Sequence, residues 1–443
     1  AEWVRNRNLP LAQIRSLLIN GADPRQRVVP QLRQVAAWLA AERPDVFEAL
    51  ITTDPDLVLW SDAARLPLAQ RVAVARALLN ASTEARLVEP PWGVPRRLDR
   101  LRHPDLTGLL TDTVRDRGLP ERTRTLAFDI ARACETRGVG ASGADVALDP
   151  QEPFALRITA ARAVSVIGEP SARERLLPLL TDPSPEDEDD NLRGAALLAT
   201  WRHLNPTALF SGLTVPRRPN HYGIYDVALR QIADELTIVY VVPGAAWLAS
   251  QGQSSAYAKH IAERILEFAI DTLDQPQVCE SVSRYTWRRL VAHERPFEDL
   301  MTRDGRRLSD VLRSKEEARR TVLTAVVETT AEGESVSWLR AAGEALLTPA
   351  DIPWAVHHLA ALPAGDARRA RWVAVIRAVF KPGNADQLSV AFAQREDADV
   401  CDAAWGLTSQ HETVEQALLA LEQARARFAR REAVSERQAG RRR

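Results

Sequence analysis

Residues 155–182 read ALRITAARAVSVIGEPSARERLLPLLTD, and their apolar positions recur every three to four residues, the spacing of a single buried helical face. From Arg157 to Ile167 that face consists of Ala160, Ala161, Val164 and Ile167. Gly168 follows, where a left-handed helix end costs glycine little, and Pro170 blocks continuation. Ser171, with Glu174 three residues on, predicts a capping box that opens a second helix. Leu176, Leu177, Leu179 and Leu180 give that helix its buried side, and Asp182-Pro183 ends it. Small residues on one helix permit close backbone approach, and the leucines fill the space beside it. Such a hairpin cannot bury both faces alone, so the pattern calls for copies on either side. RTLAFDIARAC begins at Arg124, RITAARAVSVI at Arg157 and RGAALLATWRHL at Arg193, steps of 33 and 36 residues. Those periods belong to stacked helical repeats. The loop DPSPEDEDDN accounts for the wider second step.

Similar patterning runs nearly end to end and predicts an all-α chain, an α-solenoid of HEAT-like helical hairpins. Helices are predicted at 31–41, 44–52, 67–80, 104–117 and 121–135, then, after the Gly-rich link RGVGASG, at 144–148. Further ones follow at 227–235, 254–274, 309–330, 335–346, 351–362, 367–379, 385–392 and 397–407. Thr348 as N-cap and Pro349 at the first helical position mark one start. DPDLVLWSD makes a corner, and VEPPWGVP at 88–95 is extended because paired prolines stop a helix. LTIVYVV at 236–242 has the β-branched content of a strand. A lone strand would leave its backbone groups unpaired, so an extended crossing segment or the start of a buried helix is expected there. Five segments result: N-terminal hairpins at 1–110, the clearest repeats at 111–213, an irregular helical stretch at 214–308, C-terminal hairpins at 309–415, and a charged helical tail at 416–443.

Composition changes this picture little. The chain has 443 residues, 45% of them hydrophobic and 26% charged, with a formal net charge of −1. That balance is globular and argues against a dedicated nucleic-acid or anionic-membrane binder. Cys134, Cys279 and Cys401 are far apart and form no ligand-spaced cluster, which fits a reducing compartment, the cytoplasm, and no disulfide framework. No apolar run approaches the roughly 20 residues of a membrane span. The opening AEWVRNRNLP has no apolar core of a signal peptide.

Candidate chemistry is sparse. His357-His358 are adjacent, so they point about 100° apart on a helix, one outward and one part-buried, and make no zinc pair. PEDEDD at 185–190 lacks the alternating ligands, central Gly and closing Glu of a calcium loop and reads as a solvated acidic connection. The cysteines sit in apolar helical contexts and are expected to pack. The eleven tryptophans are scattered from Trp3 to Trp405 and are expected in cores, with Trp92 exposed between prolines. The most site-like stretch is PRRPNHYGIYD: Arg217 and Arg218 offer charge to an acidic partner, and His221, Tyr222 and Tyr225 offer amphipathic contact area. The competing reading is an ordered loop whose aromatics pack on the edge of the stack.

The order of VVPQLRQVAAWLAAERPDVFEALITTDPDLVLWSD (28–62), FALRITAARAVSVIGEPSARERLLPLL (154–180) and NLRGAALLATW (191–201) resembles the helical-repeat region of bacterial NACHT-type STAND NTPases. LLTPADIPWAVHHLAAL (346–362) and RARWVAVIRAVF (369–380) add to the resemblance, which covers most of residues 28–405. It implies a sensor or regulatory arm, in many such systems for antiphage defence, folded against a nucleotide switch. The switch itself is not in this sequence. A P-loop ends in Lys-Ser or Lys-Thr, whereas Lys259 precedes His260, Lys315 precedes Glu316 and Lys381 precedes Pro382. The expectation is a non-catalytic module with a protein partner, no cofactor, no metal and no small-molecule substrate. A free-standing HEAT-like scaffold is the alternative. A nucleic-acid reader would need a basic groove with converging aromatics, against which the charge balance and the dispersed tryptophans speak.

Overall fold

The computed structural model describes residues 9–60 apart from 22, 24 and 25, then 68–87, 97–218, 220–250, 257–291, 304–329, 337–379 and 396–403, with residues 302, 390, 393, 416, 419 and 423 singly. Among these residues every regular element is helical, and the one β-type contact is an isolated antiparallel bridge between Ile19 and Val28. The chain is all-α. It divides into two units, Ala1–Asn205 with Pro216–Ala228, and Pro206–Val215 with Leu229–Arg443.

The first unit contains α1 (Leu11–Leu18), α2 (Arg33–Glu42), α3 (Pro44–Thr53), α4 (Leu68–Thr83), α5 (Leu106–Arg115), α6 (Glu121–Ala133), α7 (Gly140–Leu148), α8 (Phe154–Ile167), α9 (Pro170–Glu174), α10 (Pro178–Thr181) and α11 (Asn191–Thr200). Helices α4, α6, α8 and α11 pack one against the next, and α5, α7 and α9 form a second line beside them. One apolar core runs through the unit from Ile14 to Ala199. The small face of α8 is buried as its spacing requires, at Ala160, Ala161, Ala163 and Val164.

Gly168 departs from expectation. Its backbone is extended (φ −66°, ψ 134°), not left-handed. Crowding accounts for the glycine: a Cβ there would lie 2.6 Å from the Val164 carbonyl oxygen. The capping box at Ser171 does not form either. Glu169 is the N-cap and Pro170 takes the first turn, which puts Ser171 inside the helix. Pro178 then divides the segment into α9 and α10, because it brings no N–H to the ladder. Leu176 and Leu179 are buried, while Leu177 and Leu180 are half-buried. RGVGASG is not a link but a 3₁₀ turn at Arg137–Val139 and the first turn of α7.

The arginines that open the copies do structural work. Arg124, 3% exposed, donates from Nε and Nη2 to the Val114 carbonyl in the last turn of α5, at 2.9 and 2.8 Å. Its Nη1 and Nη2 reach Glu152, just ahead of α8, at 2.5 and 2.9 Å. Arg157 likewise donates to the Ala147 carbonyl at the end of α7, at 3.1 Å. The last carbonyls of a helix have no intrahelical partner and sit at the negative end of its dipole. A forked guanidinium satisfies them and, in Arg124, ties the following hairpin on.

The second unit contains α12 (Pro206–Gly212), most of α13 (Ile224–Glu235), α14 (Val241–Ser250), α15 (Lys259–Asp271), α16 (Pro276–Val291), α17 (Leu308–Ser314), α18 (Glu316–Thr329), α19 (Ser337–Leu346), α20 (Ile352–Ala361), α21 (Ala367–Val379) and α22 (Ala398–Ala403). Helices α12, α14, α16 and α18 pack in succession, α15 packs on α17 and α17 on α19, and α21 packs on α19, α20 and α22. The arginine device recurs. Arg319 on α18 donates to the Leu312 and Arg313 carbonyls at 3.3 and 2.5 Å and to Asp351 at 2.9 and 2.8 Å. Arg369 on α21 donates to the Leu359 and Leu362 carbonyls at 2.9 and 2.7 Å and pairs with Asp397 and Asp399.

Residues 236–242 form no strand. Ile238–Tyr240 is a 3₁₀ turn leading into α14, the buried-helix alternative, with Pro243 in the first turn where its missing N–H costs nothing. The stretch 309–330 breaks at Lys315 into α17 and α18, and the Lys315 ammonium donates to the Ile270 carbonyl at 2.7 Å. Asp351 accepts from both the N–H and the hydroxyl of Thr348, at 2.9 and 2.7 Å, so the predicted N-cap is present. The predicted extension at 88–95, nearly all of the helix at 385–392 and most of the tail at 416–443 lie outside the described residues.

Candidate interaction surfaces

The loop singled out in the sequence is bound to the acidic loop of its own unit. Asp187 accepts from the N–H groups of Leu192 and Arg193 at 3.1 and 2.9 Å, capping the positive end of α11. Asp190, left-handed at φ 52°, accepts from the Arg217 N–H at 2.7 Å. The Arg217 guanidinium donates to the Ser184 and Pro183 carbonyls at 2.7 and 2.9 Å. Arg218 pairs with Glu188 at 2.6 Å. The acidic stretch is therefore not simply solvated: Asp187 and Asp190 are buried, and its negative charge holds Arg217 and Arg218 in place.

The five candidates do not converge on one face. Tyr225 is 3% exposed, with the Arg193 guanidinium 5.0 Å over its ring. Tyr222, 95% exposed, and His221 stand outward. A Cβ on Gly194 would lie 2.4 Å from the Tyr225 nitrogen, which shows how closely α11 meets the start of α13. Tyr225 is thus packed, as the ordered-loop reading expects, while Tyr222 and His221 are exposed.

Sequence reasoning missed a buried acid pair. Asp54 and Asp56 share Arg33, whose Nη2 lies 3.1 and 2.9 Å from them, and Asp54 also accepts from the Val28 N–H at 3.3 Å. Burial first, then the hydrogen bond and charge of Asp56, push the Asp54 carboxyl up to about 7. Asp54 therefore holds its proton well above the usual carboxylate range. The visible signal was Asp-Pro-Asp in the corner DPDLVLWSD. Cys134 donates to the Leu98 carbonyl at 3.1 Å, and burial raises its thiol to about 11, so it packs as a thiol. Cys279 is buried with its thiol raised by the same cause.

Two open grooves lie in the second unit. One, of about 650 Å³, runs between α12 and α14 and is walled by Phe210 and Trp247, whose ring centres are 5.6 Å apart. The other, of about 580 Å³, lies between α18 and α20 and is lined by Glu316, Glu317, Arg320, Glu328, Trp354 and His358, among others. His357 is exposed and His358 half-buried, as adjacency on a helix dictates. His358 stacks on Trp372 at 5.6 Å, and Trp354 meets both edge-on at 5.0 and 5.4 Å. Trp201, Trp247 and Trp372 are buried, as expected of packing residues.

Among the described residues no group of three or more His, Cys, Asp or Glu is placed to hold a metal ion, and no single helix is long and apolar enough to cross a membrane. Comparison with known proteins gave no matching family model and no match among curated proteins.

Proposed function

We propose that the chain is a non-catalytic helical-repeat module, an α-solenoid of HEAT-like hairpins that presents surface to a protein partner. The observation that carries this reading is the arginine clasp. Arg124, Arg319 and Arg369 each close the end of one helix and reach an acid ahead of a later one. A device that joins hairpin to neighbouring hairpin builds surface by addition, with each unit contacting only its neighbours. The outward Tyr222 and His221, anchored by Arg217 and Arg218, offer one contact point on such a surface.

Affinity capture with the intact chain as bait, in cells of its source, tests the reading. The expected result is a protein retained in stoichiometric amount. Retention no greater than that of an unrelated helical protein overturns it.

A second reading places the chain as the sensor or regulatory arm of a cytoplasmic bacterial NACHT-type STAND NTPase, with an antiphage role. The resemblance supports it: the segments 154–180, 191–201 and 369–380 fall on α8 to α11 and α21. Such an arm would act by touching two states of the switch unequally. Equal basal and triggered hydrolysis by the parent NTPase with and without this arm rules that role out. A free-standing scaffold then remains.

A further inference from the structure

The groove between α18 and α20 combines features that packing alone does not require. Glu317, Thr321, Thr324 and Glu328 follow one another along one face of α18 and line the groove. Trp354 and His358 from α20 wall it, held by their contacts with Trp372. Glu316 and Arg320 pair at 2.5 Å, and Arg320 leans over the Trp354 ring at 5.3 Å while reaching Asp351 at 3.0 Å. Their charges are thereby matched. Glu317 is not: among the described residues its exposed carboxylate enters no ion pair. Glu328 is half-exposed and lies 3.8 Å from Arg368, which is itself held by Asp366 at 2.6 Å. Burial and the neighbouring His357 lower the pKa of His358, so it brings no compensating charge at neutral pH.

Glu328 is also misplaced for stability. It stands in the last turn of α18, where the dipole favours cations and a carboxylate is unfavourable. Eleven residues separate it from Glu317, about 16 Å at 1.5 Å per helical residue. The groove therefore offers two carboxylates about 16 Å apart, with an aromatic wall between α18 and α20.

We propose that this groove docks an extended basic segment of a protein partner, one that presents two arginine or lysine side chains four residues apart, on the same face of the segment. Four extended residues span about 13 Å and keep both side chains on one face, and the long stems cover the remaining few ångströms, which places one cation at Glu317 and the other at Glu328. The side-chain stems lie on Trp354 and His358. This assignment rests on the protein-interaction reading above and names the chemistry of the partner.

Fluorescence anisotropy of a dye-labelled peptide with arginines four residues apart, titrated with the full chain, tests it. The expected result is saturable binding that weakens at high salt, at least tenfold weaker in the Glu317→Gln, Glu328→Gln double variant, and undetectable for the same peptide with glutamates at both positions. Both substitutions are on exposed carboxylates and leave the fold in place, which circular dichroism checks. Equal binding of the basic and acidic peptides, or no loss in the double variant, overturns the proposal. If the double variant still captures the intact chain's protein partner, the groove assignment fails while the interaction reading stands.

Discussion

At the scale of single residues, the account turns on buried arginines and their acids. Arg124 and Glu152 are both almost fully buried, and removing Arg124 leaves Glu152 with Arg117 as its remaining cation, 2.9 Å away, and the Val114 carbonyl without its donors. Arg124→Ala is expected to cost about 1–3 kcal/mol, read as a lower urea midpoint for the first unit. Arg124→Lys should rescue little, since an ammonium cannot serve the Val114 carbonyl and Glu152 with a planar fork. Hydrogen bonding from Arg124 holds the Glu152 carboxyl below its usual range despite burial. That stabilisation is present above the ordinary carboxylate pKa and is lost as pH falls through the depressed folded value. The gap between the native chain and Arg124→Ala should therefore narrow below about pH 4. Asp54 carries the opposite sign. With its folded pKa at about 7 and an unfolded value near 4, the native state holds a proton that the unfolded chain has released. Stability should fall as pH rises from about 4 to 7, and Asp54→Asn should flatten that slope in urea titrations across the window. An unchanged slope contradicts the raised Asp54 pKa. The sequence showed Arg124 at the head of a copy, but not what it, Arg319 or Arg369 does. Their partners lie 28–32 residues away, and only folding reveals the pairing.

At the scale of elements, close approach decides which glycines matter. Gly194→Ala places a Cβ against the backbone of Tyr225, which cannot move aside as a flexible side chain can, and should cost about 1–3 kcal/mol. Gly212→Ala at the end of α12 meets open space and should be neutral or slightly stabilising in the same thermal melts. Comparable losses in both would show that helix propensity, not contact, dominates. Helix positions were legible wherever a clean apolar stripe ran, as in α6 and α8. Helices α1, α12 and α16 were not predicted; on α16 Ser283 and Thr286 are buried beside Val278, Val282 and Tyr285 and dilute the stripe. Ser283 donates to the Cys279 carbonyl at 2.6 Å, a local bond that makes a buried hydroxyl tolerable and that no periodicity reports. The strand-like LTIVYVV misled for the converse reason: β-branched residues lower helix propensity only slightly, and Pro243 fits a first turn.

At the scale of the whole molecule, the account holds that stability is local and additive, repeat against repeat. The candidate loop was legible as a loop but not as a clasp, because the charges that hold it come from residues 183–190. The groove between α18 and α20 was not legible at all, since its walls are distant in sequence. Hydrogen exchange on Arg124→Ala tests the central claim most directly. If hairpins are coupled by arginine clasps to their neighbours, protection should fall in α5, α6 and the start of α8 and persist in α16, α18 and α21. Uniform loss across the chain, or no loss around Val114 and Glu152, would contradict it.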